Sequence, residues 1–279
     1  MNRGPNRAED GPDKAERAKP LRIFLIRHGR TALEGRYKGQ LDPPLSPGGI
    51  KDVEGSALVL EKILENGSLR LNAIYASDLS RALQSADVIA KALKVKKVVP
   101  MGLLRERAFG KWEGMRYDEI EKLYPREFGL WVKDPFANRP VGGESSLAVK
   151  KRALASIKEI TGRSRPGDTL AIVSHSGILR VLLCHFLGMP YKNIFRADVG
   201  FGGVSLVELF DFDFDFDGKA GSPPSPIIRF MNLMPDLALK SKPSPSASLL
   251  PLPTGRAGER GRREAARWSA MTMRDRSRK

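Results

Sequence analysis

Apolar residues in this chain fall into short blocks that alternate between two periodicities. Leu21-Arg22-Ile23-Phe24-Leu25-Ile26 is an apolar run of strand type ending at Arg27 and His28. After a polar loop rich in Gly and Pro, Leu45-Ser46-Pro47 predicts a helix start. Ser46 is the N-cap, Pro47 is the first helical residue, and Ile50, Val53, Ala57 and Leu60 follow at helical spacing. Leu71 to Ala76 predicts a second strand. Ser77-Asp78 predicts the cap of a helix whose Ala82, Ser85, Ala86, Ile89 and Leu93 share one face. Val98-Val99 marks a third strand. Residues 116 to 160 read as mostly helical, interrupted by a Pro/Gly connection from Asp134 to Gly143. Thr169 to Ser174 is a β-branched fourth strand, followed by an apolar helix from about Gly177 to Leu187. Gly203 to Phe210 and Ile227 to Leu233 supply two more strands. Strands that alternate with helices predict an α/β fold, a three-layer α/β/α sandwich with a mostly parallel sheet. Ligands are then expected at the carboxyl ends of the strands, where His28 and His175 both stand.

Composition changes this picture mainly at the ends. The formal charge of +16 invites a nucleic-acid partner, yet residues 240 to 279 hold eleven Lys and Arg against three acids, half of the excess. That tail is rich in Pro, Ser, Gly and Arg, with Leu249, Leu250, Leu252 and Trp268 as its bulky apolar residues. Too little apolar surface is available there to offset the entropy of ordering, so disorder is expected, apart from a short helix around Arg262 to Trp268. The N-terminal arm reads the same way. The expected organisation is a disordered arm over residues 1–19, a folded domain over 20–238 and a basic tail over 239–279. No apolar run is long enough to cross a bilayer; the best candidate, Ile178 to Met189, is short and carries Arg180 and His185. The first twenty residues mix charges with Gly and Pro and hold no apolar signal core. Cys184 is the single cysteine, which excludes an internal disulfide and a multi-cysteine zinc site. A cytoplasmic enzyme is expected.

Three short constellations lie at the sheet edge: Arg27-His28-Gly29-Arg30-Thr31 after the first strand, Ser77-Asp78-Leu79-Ser80-Arg81 at a helix start after the second, and Ser174-His175-Ser176-Gly177 where the fourth turns into a helix. Their chemistry suits a phosphate. Arginine offers a planar fork of donors matched to phosphate oxygens, and a helix N-terminus adds oriented N–H groups. A neutral imidazole is a competent nucleophile at pH 7. Phosphoryl transfer depends mostly on positioning and on stabilising charge at the equatorial oxygens. Arg27, Arg81 and His175 can supply that without a metal or a cofactor. A leaving alkoxide also needs a proton, and Leu103 to Gly114 places Glu106 and Glu113 in a loop after the third strand. Glu113, next to a packing Trp112, reads as a structural carboxylate. Glu144 reads as favoured by a helix start.

At this point the chain resembles the histidine phosphatase superfamily, also called phosphoglycerate mutase-like, from about Leu21 to Leu237. The Arg-His-Gly signature is Arg27-His28-Gly29. Tyr-x-Gly, then Asp-x-Pro-Leu-Ser/Thr, is Tyr37-Lys38-Gly39 and Asp42-Pro43-Pro44-Leu45-Ser46, and Ser-x-Leu-x-Arg-Ala is Ser77 to Ala82. Leu104, Glu106, Phe109-Gly110 and Trp112-Glu113-Gly114 match a further stretch, as do Gly142 to Ser145 and Ser174 to Gly177. The resemblance implies His28 as the phosphohistidine nucleophile, Glu106 as proton donor and later activator of water, and Arg27, Arg81 and His175 as the phosphate pocket. Many members carry Asn six positions after the nucleophile, where this chain has Glu34, and the segment from His28 to Tyr37 is about two residues shorter than usual. Thr31 or Gln40 is expected to take over the missing phosphate contact, with Glu34 facing solvent.

The stretch Phe109 to Gly114 leads to a shorter cap than in phosphoglycerate mutases and is similar to the phosphatase branch. A phosphatase acting on a small phosphate ester is therefore expected, with a cofactor-dependent phosphoglycerate mutase as the alternative. Tyr37-Lys38-Gly39, the short loop before it and Trp112-Glu113-Gly114 look most like bacterial α-ribazole phosphatases, which act late in cobalamin nucleotide-loop assembly. The rival from another class is a non-catalytic polyanion-binding protein using the basic tail, which would bind nucleic acid weakly and with steep salt dependence. His185 shares a helical stripe with Ile178 and Leu182 and reads as a packed core residue. Asp213 to Gly218 resembles the opening of a calcium loop, but its twelfth position is Pro224, and the alternating Phe and Asp describe a strand entering a hairpin.

Overall fold

The computed structural model describes residues 19–210 and 226–235. The N-terminal arm before residue 19, the Asp213 to Gly218 segment and the basic tail lie outside the described residues. Strand β1 (Leu21–Arg27) leads through helix α1 (Pro47–Asn66) to β2 (Ala73–Ala76). Helix α2 (Ser80–Ala92) and β3 (Val98–Pro100) follow, then α3 (Tyr117–Leu123), α4 (Pro125–Lys133) and α5 (Ser146–Thr161). The chain continues with β4 (Thr169–Ser174), α6 (Ser176–Phe186), β5 (Val204–Leu209) and β6 (Ile227–Leu233). The sheet order is β3-β2-β4-β1-β5-β6. The first four strands in that order are parallel; β5 runs antiparallel to β1, and β6, antiparallel to β5, completes that edge.

Side chains of β1 alternate between two apolar layers. Ile23 and Leu25 pack with Val149, Ala153 and Ile157 of α5 and with Ile178 and Leu182 of α6. Phe24 and Ile26 pack on the opposite face with Val53, Ala57 and Leu60 of α1 and with Ala82, Ala86 and Ile89 of α2. A strand buried on both faces has no polar side to show, which explains why β1 and β4 read as unbroken apolar runs. A third cluster of Trp112, Ile120, Phe128 and Trp131, with Tyr37 and Phe109 packed against it, builds a cap from α3, α4 and the loop before them.

Most elements stand where the apolar pattern puts them, and the exceptions have local causes. Ser46 caps α1, its hydroxyl accepting from Gly49 N–H at 3.1 Å. Ile50 is exposed instead of facing the core, because the first turn of α1 lays Gly49 against the loop after β1; a Cβ there would collide with the Arg30 carbonyl. The expected Ser77-Asp78 cap is not the one used. Asp42, far away in sequence, accepts from Ser80 N–H at 2.6 Å and from its hydroxyl at 2.7 Å, so a loop carboxylate caps α2. Asp78 instead pairs with Arg105. No helix among the described residues is long and apolar enough to cross a membrane.

Candidate active site

Parallel pairing brings the two histidines together. Arg27 of β1 is the register partner of Ser174 of β4, so the residues that follow each strand, His28 and His175, leave the sheet side by side. Their ring centroids are 5.0 Å apart. The pairing runs on into the loop, where His28 N–H donates to Ser174 O at 3.0 Å. Gly29 lets this loop press on the start of α1, since a Cβ there would collide with the Gly49 carbonyl.

His28 Nδ1 lies 2.7 Å from its neighbour's carbonyl, Gly29 O. A carbonyl can only accept, so Nδ1 carries the proton and Nε2 keeps its lone pair. Burial, with the positive fields of Arg27 and Arg81, holds the His28 pKa well below 6.5, and Lys38 adds to this. The ring is therefore neutral at pH 7. His175 Nε2 lies 2.8 Å from Ser77 Oγ, which itself accepts from Leu79 N–H at 3.3 Å. With the serine proton directed to Nε2, we assign the proton of His175 to Nδ1. Its pKa is also held well below 6.5 by burial and by the neighbouring His28, Arg81 and Arg27.

The arginines are anchored through their terminal nitrogens. Arg27 donates from Nη1 to Val199 O at 2.8 Å and lies over the Phe201 ring at 3.6 Å. Burial pushes its pKa down to about 10, which leaves it charged at neutral pH. Arg81 is 1% exposed and donates to Leu41 O and Gly39 O at 2.6 and 2.8 Å, tying α2 to the loop that carries Asp42. Arg27 Nε, Arg81 Nε and His175 Nδ1 are buried and have no hydrogen-bond partner. Unpaired buried donors are rare and costly. Three such donors near His28, on residues of matching type, are an arrangement that can accept an anion with several acceptor oxygens.

Glu106 stands at the first turn of α6. Its Oε1 accepts from Arg107 N–H at 2.8 Å and its Oε2 from Gly177 N–H at 3.2 Å. Gly177 permits this approach, because a Cβ on it would collide with Oε1. Glu113 accepts from Gln40 N–H and Phe109 N–H at 3.0 and 2.9 Å, and Glu144 pairs with Arg152 at 2.8 Å, so both brace the loops. His28, Arg27, Arg81 and Glu106 line a cavity of about 400 Å³ together with Lys38 and a largely aromatic wall of Tyr37, Phe109, Trp131, Phe136, Phe195 and Phe201. That volume suits a small ligand.

The two expected substitutes for the absent Asn differ in their engagement. Gln40 donates its amide to the backbone carbonyl of Glu106 at 2.6 Å and does not line the cavity; it positions the acidic loop. Thr31 is buried and bridges to Leu45 through its backbone, and its hydroxyl has no hydrogen-bond partner; like His175, it is not part of the cavity wall. Glu34 is exposed, as expected. Sequence reasoning gave no role to Lys38, although it stands in the same short motif as Tyr37 and Gly39; a cation in the loop that lacks the Asn was the available signal. His185 is only half buried at the end of α6, with Nδ1 3.4 Å from the Tyr191 hydroxyl.

The profile of the histidine phosphatase superfamily, branch 1, matches residues 23–218. The chain belongs to this superfamily. Among its relatives in the superfamily, phosphoserine phosphatase 1 of Hydrogenobacter thermophilus is 33% identical over 191 residues, covering 68% of this chain and 87% of that protein. The adenosylcobalamin/α-ribazole phosphatase of Escherichia coli is 28% identical over 185 residues, covering 64% and 87%. The solved mycobacterial glucosyl-3-phosphoglycerate phosphatase superposes with a TM-score of 0.59 at 27% identity, covering 69% of this chain and 93% of that one. As a phosphatase of this superfamily, the chain carries the histidine, arginine and glutamate motifs on one sheet edge.

Two neutral buried histidines also set an acid limit on stability. The unfolded chain binds their protons near pH 6.5, while the folded chain resists them, so the unfolded state takes up more protons below that pH. Stability is full above about pH 6.5 and falls as pH drops below it. Thermal melts from pH 8 to 5 are expected to show that fall, and His28→Ala should make its slope shallower. An identical slope in the variant would show that His28 does not titrate this way.

Proposed function

We propose that the chain hydrolyses a small phosphate monoester, without a metal ion, through a phosphohistidine formed on His28. The observation that carries this is the state of His28: a neutral ring, Nδ1 tethered to Gly29 O, and an Nε2 lone pair beside Arg27, Arg81 and His175. Nε2 attacks phosphorus in line with the leaving oxygen, and the P–O bond breaks. The Nδ1–H···O=C contact stabilises the positive charge that grows on the ring, while the two arginines and His175 hold the equatorial oxygens. Glu106 delivers a proton to the leaving oxygen. Its carboxylate then takes a proton from water, the water oxygen attacks phosphorus, the P–N bond breaks and Nε2 recovers its electron pair.

The aromatic wall favours a substrate whose alcohol portion is apolar or planar. Among the ester classes in the relatives' names, α-ribazole 5'-phosphate fits such a wall better than phosphoserine does, and it is the substrate we propose. Release of phosphate from α-ribazole 5'-phosphate, phosphoserine, sugar phosphates and phosphoglycerates, with and without EDTA, tests both parts. The expected result is the highest kcat/KM on α-ribazole 5'-phosphate, unchanged by EDTA. Loss of turnover on chelation would refute metal independence. Mutase activity on phosphoglycerates with little phosphate release would refute hydrolysis.

A further inference from the structure

We propose that Lys38 is a further phosphate-binding residue, its ammonium contacting the transferred phosphoryl group. This rests on the phosphatase reading of the His28 site. Lys38 lines the cavity and is half buried, with Nζ 5.7 Å from the centroid of the Phe201 ring. Arg27 stacks on that same ring, which lies 5.6 Å from His28. Phe201 thus holds the ammonium, one guanidinium and the nucleophile within one small volume.

Other cations lining the cavity are already engaged. Arg107 gives Nε, Nη1 and Nη2 to the carbonyls of Glu144, Pro135 and Asn138. Arg36 donates to Gly114 O and pairs with Glu119, and Arg180 donates to Ala197 O. The ammonium of Lys38 makes no hydrogen bond or ion pair with a described residue. It is held among like charges, where an unpaired cation is costly and a bound anion relieves the cost.

The groups that act on it come from every side: Arg27 at the end of β1, Arg81 of α2, Glu106 after β3, Glu34 from its own loop, and the neutral His28. Burial and the two arginines pull its pKa down to about 8, against the opposing pull of Glu34 and Glu106. In the free enzyme the ammonium is therefore lost as pH rises through about 8. A bound phosphate dianion favours the charged form, so the same loss in the complex moves to higher pH. A phosphate ligand with these properties gives kcat/KM an alkaline limb near pH 8 and kcat a limb at higher pH, because the two parameters report free enzyme and complex respectively.

The test uses the full chain, with nitrophenyl phosphate as substrate and inorganic phosphate as competitor. Lys38→Gln is expected to weaken phosphate inhibition and lower kcat/KM on the order of 10- to 100-fold, the scale of a hydrogen bond to a charged group. Lys38→Arg, which stays charged, is expected to retain most of the phosphate affinity and to lose the limb near pH 8. Unchanged phosphate inhibition in Lys38→Gln, or an alkaline limb at the same pH in Lys38→Arg, would overturn the proposal while leaving the phosphatase reading intact. If the wild type releases no phosphate from any ester, the phosphatase reading fails instead. The rise in melting temperature on adding phosphate then decides about Lys38: a smaller rise in Lys38→Gln than in the wild type supports it, and an equal rise overturns it. Should Lys38→Gln fail to fold, the pH profile and phosphate response of Lys38→Arg carry the decision.

Discussion

Replacing His28 by alanine is expected to lower kcat by at least ~10⁴-fold and to remove, in the same variant, any acid-labile phosphate attached to the protein. Both effects have one cause. The other histidine of the site offers no free lone pair: His175 Nε2 is engaged with Ser77, and its Nδ1 is the nitrogen assigned the proton. Rapid quenching of the wild type with radiolabelled substrate, followed by separation of the protein under alkaline conditions, should trap about one phosphate per chain at most. A His28→Ala protein that still turned over, or that still became phosphorylated, would disprove the assignment. The arginines and His175 stay in place in this variant, so phosphate binding should survive far better than catalysis.

The second large effect is expected from Glu106→Gln. A glutamine keeps the size of the side chain, but its amide cannot deliver a proton to a leaving oxygen or take one from water. Loss of general acid catalysis costs about 10²- to 10⁴-fold where the leaving group is a poor one, such as a sugar alkoxide. Nitrophenolate leaves without a proton, so its release should slow much less in the phosphorylation step. Pre-steady-state kinetics should then show a burst of nitrophenol followed by slow turnover, because activation of water is impaired in the second step. Equal slowing of formation for both kinds of ester would count against Glu106 as the acid. The neighbouring Glu113, bound by two backbone N–H groups, serves as a contrast: its loss should act through loop stability.

Much of this site was legible beforehand because its chemistry lies in contiguous motifs. Arg27-His28-Gly29 and Ser174-His175-Ser176-Gly177 each follow an apolar run, and the rule that places strand ends at one edge is enough to bring them together. Residues whose roles depend on a partner distant in sequence were harder. Ser77-Asp78 has the composition of a helix cap, yet Ser77 serves His175 and Asp78 serves Arg105, while the cap comes from Asp42. Gln40 has the right donor for a phosphate but spends it on the Glu106 carbonyl. Lys38 drew no notice because a lone lysine in a polar loop is ordinarily a solvated surface group. Only its partial burial within the fields of Arg27 and Arg81 makes it otherwise.

The sequence by itself determined the order of strands and helices, the alternation that covers both faces of the sheet, and which residue types meet at its carboxyl edge. Those follow from local periodicity and from the short range of capping and turn chemistry. The reversed direction of β5, the cap of aromatic rings over the cavity and the engagement of each donor were decided by tertiary structure. Each depends on which groups from remote segments arrive at hydrogen-bonding distance and which are left unpaired. The protonation state of His28 belongs to the same class. Its type is written in the chain, but its neutrality and its free Nε2 come from burial, from two guanidinium groups and from the carbonyl of Gly29.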